Sequence, residues 1–188
     1  MVRTGLGKKC RVWQPDGEAQ ALSGFRALGW LFIERARVEG ETNAAAALEV
    51  CVEAFRFDEE FARGGPVINH LVGWGCQMVV LREAAKYVPR TSPGECPRIV
   101  RSLRKIEQDA ATWEKIVTDE QLWWDTRAGL REKIVRIVDR KSVDAVMAKS
   151  KAVRDRAAAG FKAFIATLDA RAREVDAPVI AREMKTNH

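Results

Sequence analysis

The sequence predicts an all-α protein of about six helices in antiparallel hairpins, and three observations carry that expectation. Ala, Glu, Arg, Lys and Leu dominate from Asp16 onward, and these are residues that lose little on entering a helix. Alternating β-branched runs between turn residues, the mark of strands, are scarce. Apolar residues recur instead at three- and four-residue steps through most of the 188 residues. A chain of this length, 47% hydrophobic and 31% charged, can fill one continuous core beneath a charge-rich surface. The expected organisation is an irregular arm over residues 1–17, a helical domain over 18–178 and a turn or tail over 179–188.

The arm holds Gly5, Gly7, Pro15 and Gly17 without helical periodicity. A first helix is expected from Glu18 to Glu39, where Leu22, Phe25, Leu28, Gly29, Phe32 and Ile33 form one apolar side and Gly40 ends the run. Glu41-Thr42-Asn43 then supplies a cap for a second helix, with Ala47, Leu48, Cys51 and Phe55 on one face and Glu49, Glu53, Arg56 and Glu60 on another. Gly64-Gly65-Pro66 separates it from a third helix that reaches Tyr87. Gly73 and Gly75 each cost that helix about 1 kcal/mol of propensity. Close approach of a neighbouring helix over the missing Cβ atoms would offset the cost, with a ligand or a kink as the alternatives, and this helix is the expected centre of the fold.

After the loop Val88–Gly94, a fourth helix is expected from Gly94 to Lys115 on Ile99, Leu103, Ile106 and Ala110. Thr118 and Gln121 form a capping-box pattern for a fifth, running past Trp123, Leu130, Ile134 and Ile137 to Arg140. Ser142 can cap the last long helix, whose stripe includes Val153, Ala157, Phe161, Phe164, Ile165 and Leu168 before Asp176-Ala177-Pro178 stops it.

Phe25, Leu28, Gly29 and Phe32, with Ala47, Cys51 and Ala54 in the next helix, have a spacing that resembles the helical hairpins of tetratricopeptide repeats. The layout around Phe61–Gly65 and Val67–Gly73 also resembles uncharacterised bacterial all-helical proteins. These resemblances imply a single-domain helical bundle or a short tetratricopeptide-like array. They imply no particular activity.

Cys10, Cys51, Cys76 and Cys96 are widely spaced and the chain has only two histidines, so no zinc framework is visible. Cys51 and Cys76 read as small buried hydrophobes, a use that fits a reducing, cytoplasmic compartment. The charged N-terminal segment is followed by no apolar stretch of the kind a signal peptide needs. The longest uncharged run, Gly64 to Leu81, is too short and too polar to span a bilayer.

Hydrolase, nucleotide and dinucleotide motifs are absent from the sequence, so a binding or scaffolding role without a cofactor is favoured over catalysis. The expected partner is another protein or a second copy of the chain. Trp123 and Trp124 are the candidate contact point, because neighbours on a helix differ by about 100° and one of the two must be at least partly exposed. A rival reading rests on the net charge of +6, all of which is matched by the ten basic and four acidic residues of Arg127–Arg156. Arg127, Arg131, Lys133, Arg136, Arg140 and Lys141 would form a basic patch for nucleic acid or an acidic partner, although Glu132, Asp139 and Asp155 interrupt it. A third reading places a small-molecule or enzymatic pocket at His70 and Trp74, against the plainer expectation of a hydrogen-bonded core histidine. Asp58-Glu59-Glu60 reads as a solvated acidic run.

Overall fold

The computed structural model describes residues 18–125 and 140–174. The expected N-terminal arm, the end of the fifth helix and the C-terminal tail lie outside the described residues. Those described form six α-helices: α1 Glu18–Thr42, α2 Ala44–Ala62, α3 Val67–Ala85, α4 Cys96–Asp109, α5 Trp113–Asp125 and α6 Arg140–Arg173. Two short 3₁₀ turns, Val88–Arg90 and Pro93–Glu95, join α3 to α4. The described residues contain no strand, so the fold is all-α.

α1, α2 and α3 pack in succession, and α6 lies across α3 and α4. Asn43 caps α2 by accepting a hydrogen bond from the Ala46 amide, as its position before the apolar stripe requires. Between α2 and α3 the chain turns at Gly64, whose φ of +70° is open to glycine and strained for other residues. α2 buries twelve of its nineteen residues and α3 nine of nineteen, which makes α2, rather than α3, the most deeply buried helix. The distinction of α3 is that it serves two apolar clusters.

The larger cluster draws Phe32, Ile33 and Ala36 from α1, Leu48, Cys51 and Phe55 from α2, Val80 and Ala84 from α3, Ile99 and Leu103 from α4, and Phe161, Phe164 and Leu168 from α6. Phe55 meets Phe161 edge-on at 5.1 Å between centroids, while Phe25 stacks on Phe57 and Phe61 where α1 lies on α2. The smaller cluster joins Val67 and Trp74 of α3 to Ile116 of α5 and Ala157 of α6.

Several boundaries differ from the sequence expectation. Gly40 does not end α1, which continues to Thr42. It lies buried inside the helix under Tyr87, whose ring would come within 2.3 Å of an added Cβ. Tyr87 itself follows α3, donating to Glu83, which also pairs with Arg37 and Lys86 and so ties α1 to the end of α3. α4 stops at Asp109 rather than Lys115, because Ala110 is extended. α5 then begins six residues earlier than the Thr118 capping box suggests. Thr112 caps it by accepting from the Lys115 amide, and the Thr118 hydroxyl instead donates to the Glu114 carbonyl inside the helix. Ser142 is likewise internal to α6. Near the other end of α6, Arg171 donates to the Pro89 and Thr91 carbonyls and anchors the helix on the 3₁₀ turns.

The two glycines of α3 separate. An added Cβ on Gly73 would stand 3.3 Å from the Asp58 carbonyl, so α2 approaches there as expected. Gly75 has nothing within 4 Å of that position, and no helix of the described residues compensates its cost.

Candidate functional site

His70 and Trp74 do come together, one helical turn apart on α3, with ring centroids 5.6 Å apart. Both are buried and both line a cleft of about 590 Å³. Its other walls come from Glu59 of α2, Gln77 of α3, the α4–α5 junction, Ile116 of α5, and Arg154 and Phe161 of α6. A second cleft of about 290 Å³ shares His70, Glu59 and Ala111, so these residues border both spaces.

The histidine is not the hydrogen-bonded core residue that the plainer expectation describes. Its Nε2 is buried and has no hydrogen-bond partner among the described residues. Burial, only partly opposed by Asp119, pulls the imidazole down to about 4, so it is neutral near pH 7. Beside it, Gln77 Nε2 donates to Glu59 Oε1 at 2.9 Å. Burial raises the Glu59 carboxyl above its ordinary value, against the lowering effects of the Gln77 bond and Arg63.

The acidic run at 58–60 is only partly solvated, which corrects the sequence reading. Asp58 is 1% exposed, with Oδ2 unpartnered, because it continues the Leu48–Cys51–Phe55 stripe at helical spacing and meets α3 at Gly73. Burial and the Glu59 charge push its carboxyl well up. In the sequence Glu59 reads only as part of the solvated acidic run, and Gln77, Arg154 and Ile116 carry no functional signal. Their juxtaposition spans nearly a hundred residues, and no local pattern marks it.

Trp123 and Trp124 are both half-buried and meet edge-on at 4.9 Å. The Trp124 indole donates to Glu120 Oε1 at 2.7 Å, and Glu120 Oε2 accepts the Val67 amide at 2.6 Å. Glu120 thereby caps α3 from another helix, at an N-terminus where Pro66 offers no side-chain cap. Of the candidate basic patch, Arg127, Arg131, Lys133 and Arg136 lie outside the described residues. Arg140 opens α6 and Lys141 is exposed beside it. Further along α6, Lys151 and Arg154 both pair with Asp155.

A different surface is more apolar than any of these. On the outer side of α1, Trp30 is 51% exposed, Leu31 63% and Val38 68%. Beside Trp30, a groove of about 310 Å³ runs between α1 and α3, with Gly29, Ile33, Leu71, Gly75, Cys76 and Val79 among its lining residues. Cys76 is therefore half-buried at a groove wall, whereas Cys51 is buried in the core as expected. No helix of the described residues is long and apolar enough to cross a membrane. No family model matches the chain, and neither a curated protein nor a solved structure does.

Proposed function

We propose that the chain is a non-catalytic helical interaction domain that associates with a second copy of itself through α1 and the groove between α1 and α3. The observation that carries this reading is Gly75. It costs α3 helix propensity without relieving any contact among the described residues, and it lines an apolar groove next to the half-exposed Trp30. An interface between identical copies needs one patch that holds both a projection and a recess. Here Trp30 and Leu31 are the projections and the Gly29–Gly75 groove is the recess.

Charge supports the same pairing. Arg26 and Glu34 stand four residues either side of Trp30, so an antiparallel two-fold arrangement centred on Trp30 sets each Arg26 opposite the other copy's Glu34. The resemblance of α1 and α2 to tetratricopeptide-like hairpins also supports a role in protein contact. Free Cys51, Cys76 and Cys96 support a reducing, cytoplasmic setting.

Light scattering over a range of concentrations tests the proposal, with a dimer expected that Leu31→Glu combined with Val38→Glu converts to monomer. Arg26→Glu or Glu34→Arg alone should weaken the dimer, and the two together should restore it. A chain that stays monomeric at every concentration overturns the reading.

A further inference from the structure

The cleft at His70 has a polar inner end, apolar walls and a charged rim, and these three parts select different features of a ligand. Glu59, His70 and Gln77 form the inner end; Trp74, Ile116 and Phe161 supply the walls; Arg154 and Lys162 stand at the rim. We propose that this cleft binds a small organic cation, an ammonium group on an aromatic or aliphatic body. In that arrangement Glu59 is the counter-ion, His70 Nε2 accepts an N–H, and Trp74 and Ile116 cover the body.

The sign of the ligand follows from the pairing of the neighbouring charges. Arg154 is bonded to Asp155 at 3.3 Å, Lys162 reaches Glu107 at 3.9 Å, Arg63 pairs with Glu60 at 3.1 Å, and Lys115 pairs with Asp119. Each cation around the cleft thus has its own acid. Glu59 differs, because its bond goes to the neutral amide of Gln77. An anionic ligand would meet that carboxylate at the inner end, whereas an ammonium would satisfy it. Burial also raises the affinity of Glu59 for its proton, even though Arg63 and Arg154 act to lower it, and a cation seated on the carboxylate would oppose that rise.

His70 adds an independent requirement. A buried, unpartnered polar atom costs about 1–3 kcal/mol, and Nε2 is in that state. A ligand N–H directed between Glu59 and His70 would remove the cost, and the neutral imidazole would not repel the cation.

The walls decide against an inorganic cation. Calcium or magnesium requires about six or more oxygen ligands, and Trp74, Ile116, Ala111 and Phe161 supply none. They suit an apolar body, and Trp74 adds the attraction of an aromatic ring for a nearby cation. A volume of about 590 Å³ falls in the range of small-molecule sites.

The experiment compares phenethylammonium with phenylacetate, which offer similar bodies and opposite charges, by calorimetry and by NMR of the labelled chain. Phenethylammonium should bind and shift the Trp74 indole and His70 ring signals, while phenylacetate should not. Glu59→Gln should weaken binding by about tenfold or more. Ala158→Trp, placed on an exposed residue of the cleft lining, should block the space without altering Glu59 or the core. Phenylacetate binding as tightly, unchanged binding by either variant, or no binding of phenethylammonium at millimolar concentration would each overturn the proposal.

Discussion

The larger and smaller apolar clusters share α3 and α6 but differ in closure. In the larger one, five helices converge and Phe55, Leu103, Leu168 and Ala84 have essentially no exposed surface. The smaller one has Val67, Trp74, Ile116 and Ala157 at its centre. At its margin are Met78 and Met147, flexible side chains that fill uneven space. The His70 cleft lies where the two clusters meet, touching Trp74 and Ile116 of the smaller one and Ile106 and Phe161 at the edge of the larger. One helix can therefore contribute rigid packing at one end and a ligand-sized space at the other. In α6, Phe164, Ile165 and Leu168 fill the closed cluster, while Val143 and Val146 near its start remain exposed.

Truncation should break the two clusters unequally. Phe55→Ala should cost about 3–5 kcal/mol, the range for a large aromatic removed from a core that cannot collapse. Ile116→Ala should cost about 2 kcal/mol, near the bottom of its range, because the neighbouring methionines can follow the cavity. Urea denaturation of both variants measures the difference. Equal losses would show the second cluster to be as closed as the first.

Acid should sharpen the comparison, since each region buries a titratable group of opposite tendency. His70 is pulled from its ordinary 6.5 to about 4. The unfolded chain therefore binds the proton first, and stability should fall as pH drops from 6.5 toward 4. His70→Gln should flatten that slope. Asp58, beneath Gly73, is raised above 3.8. There the folded chain holds the proton more tightly, so the contribution is present at low pH and is lost as pH rises through the folded value. Asp58→Asn should raise the melting temperature at neutral pH, and melting curves across pH for both variants check the two signs.

Two glycines should respond to alanine with opposite signs. Gly40→Ala should cost about 1–3 kcal/mol, because its methyl meets the Tyr87 ring held by Glu83. Gly75→Ala should instead stabilise the isolated chain by up to about 1 kcal/mol, since its Cβ position is open. Melting temperatures separate the two by sign.

Much of the first half of the fold was legible because local and global demands agree there. The Leu48–Cys51–Phe55 stripe, the Asn43 cap and the Gly64-Gly65-Pro66 break each act within a few residues, and α2 follows them. The same stripe could have revealed Asp58 as buried, had its spacing been weighed above its charge. The α4–α5 junction was harder. Thr112 and Thr118 both stand before plausible helical runs, and local capping energies hardly distinguish them. The earlier start places Ile116 in the second cluster and lets Glu120 reach the Val67 amide.

Sequence by itself determined the all-α class, the six helices of the described residues and the apolar face of α2, because helix propensity and periodicity are properties of neighbouring residues. It also brought His70 and Trp74 together, since four positions on a helix make one turn. Only tertiary structure decided that Glu59 and Arg154 flank them, that Gly73 is packed while Gly75 is open, and that α1 shows Trp30, Leu31 and Val38 on its outer side. Those outcomes depend on which helix lies against which, and that choice is made by the shared burial of residues far apart in the chain.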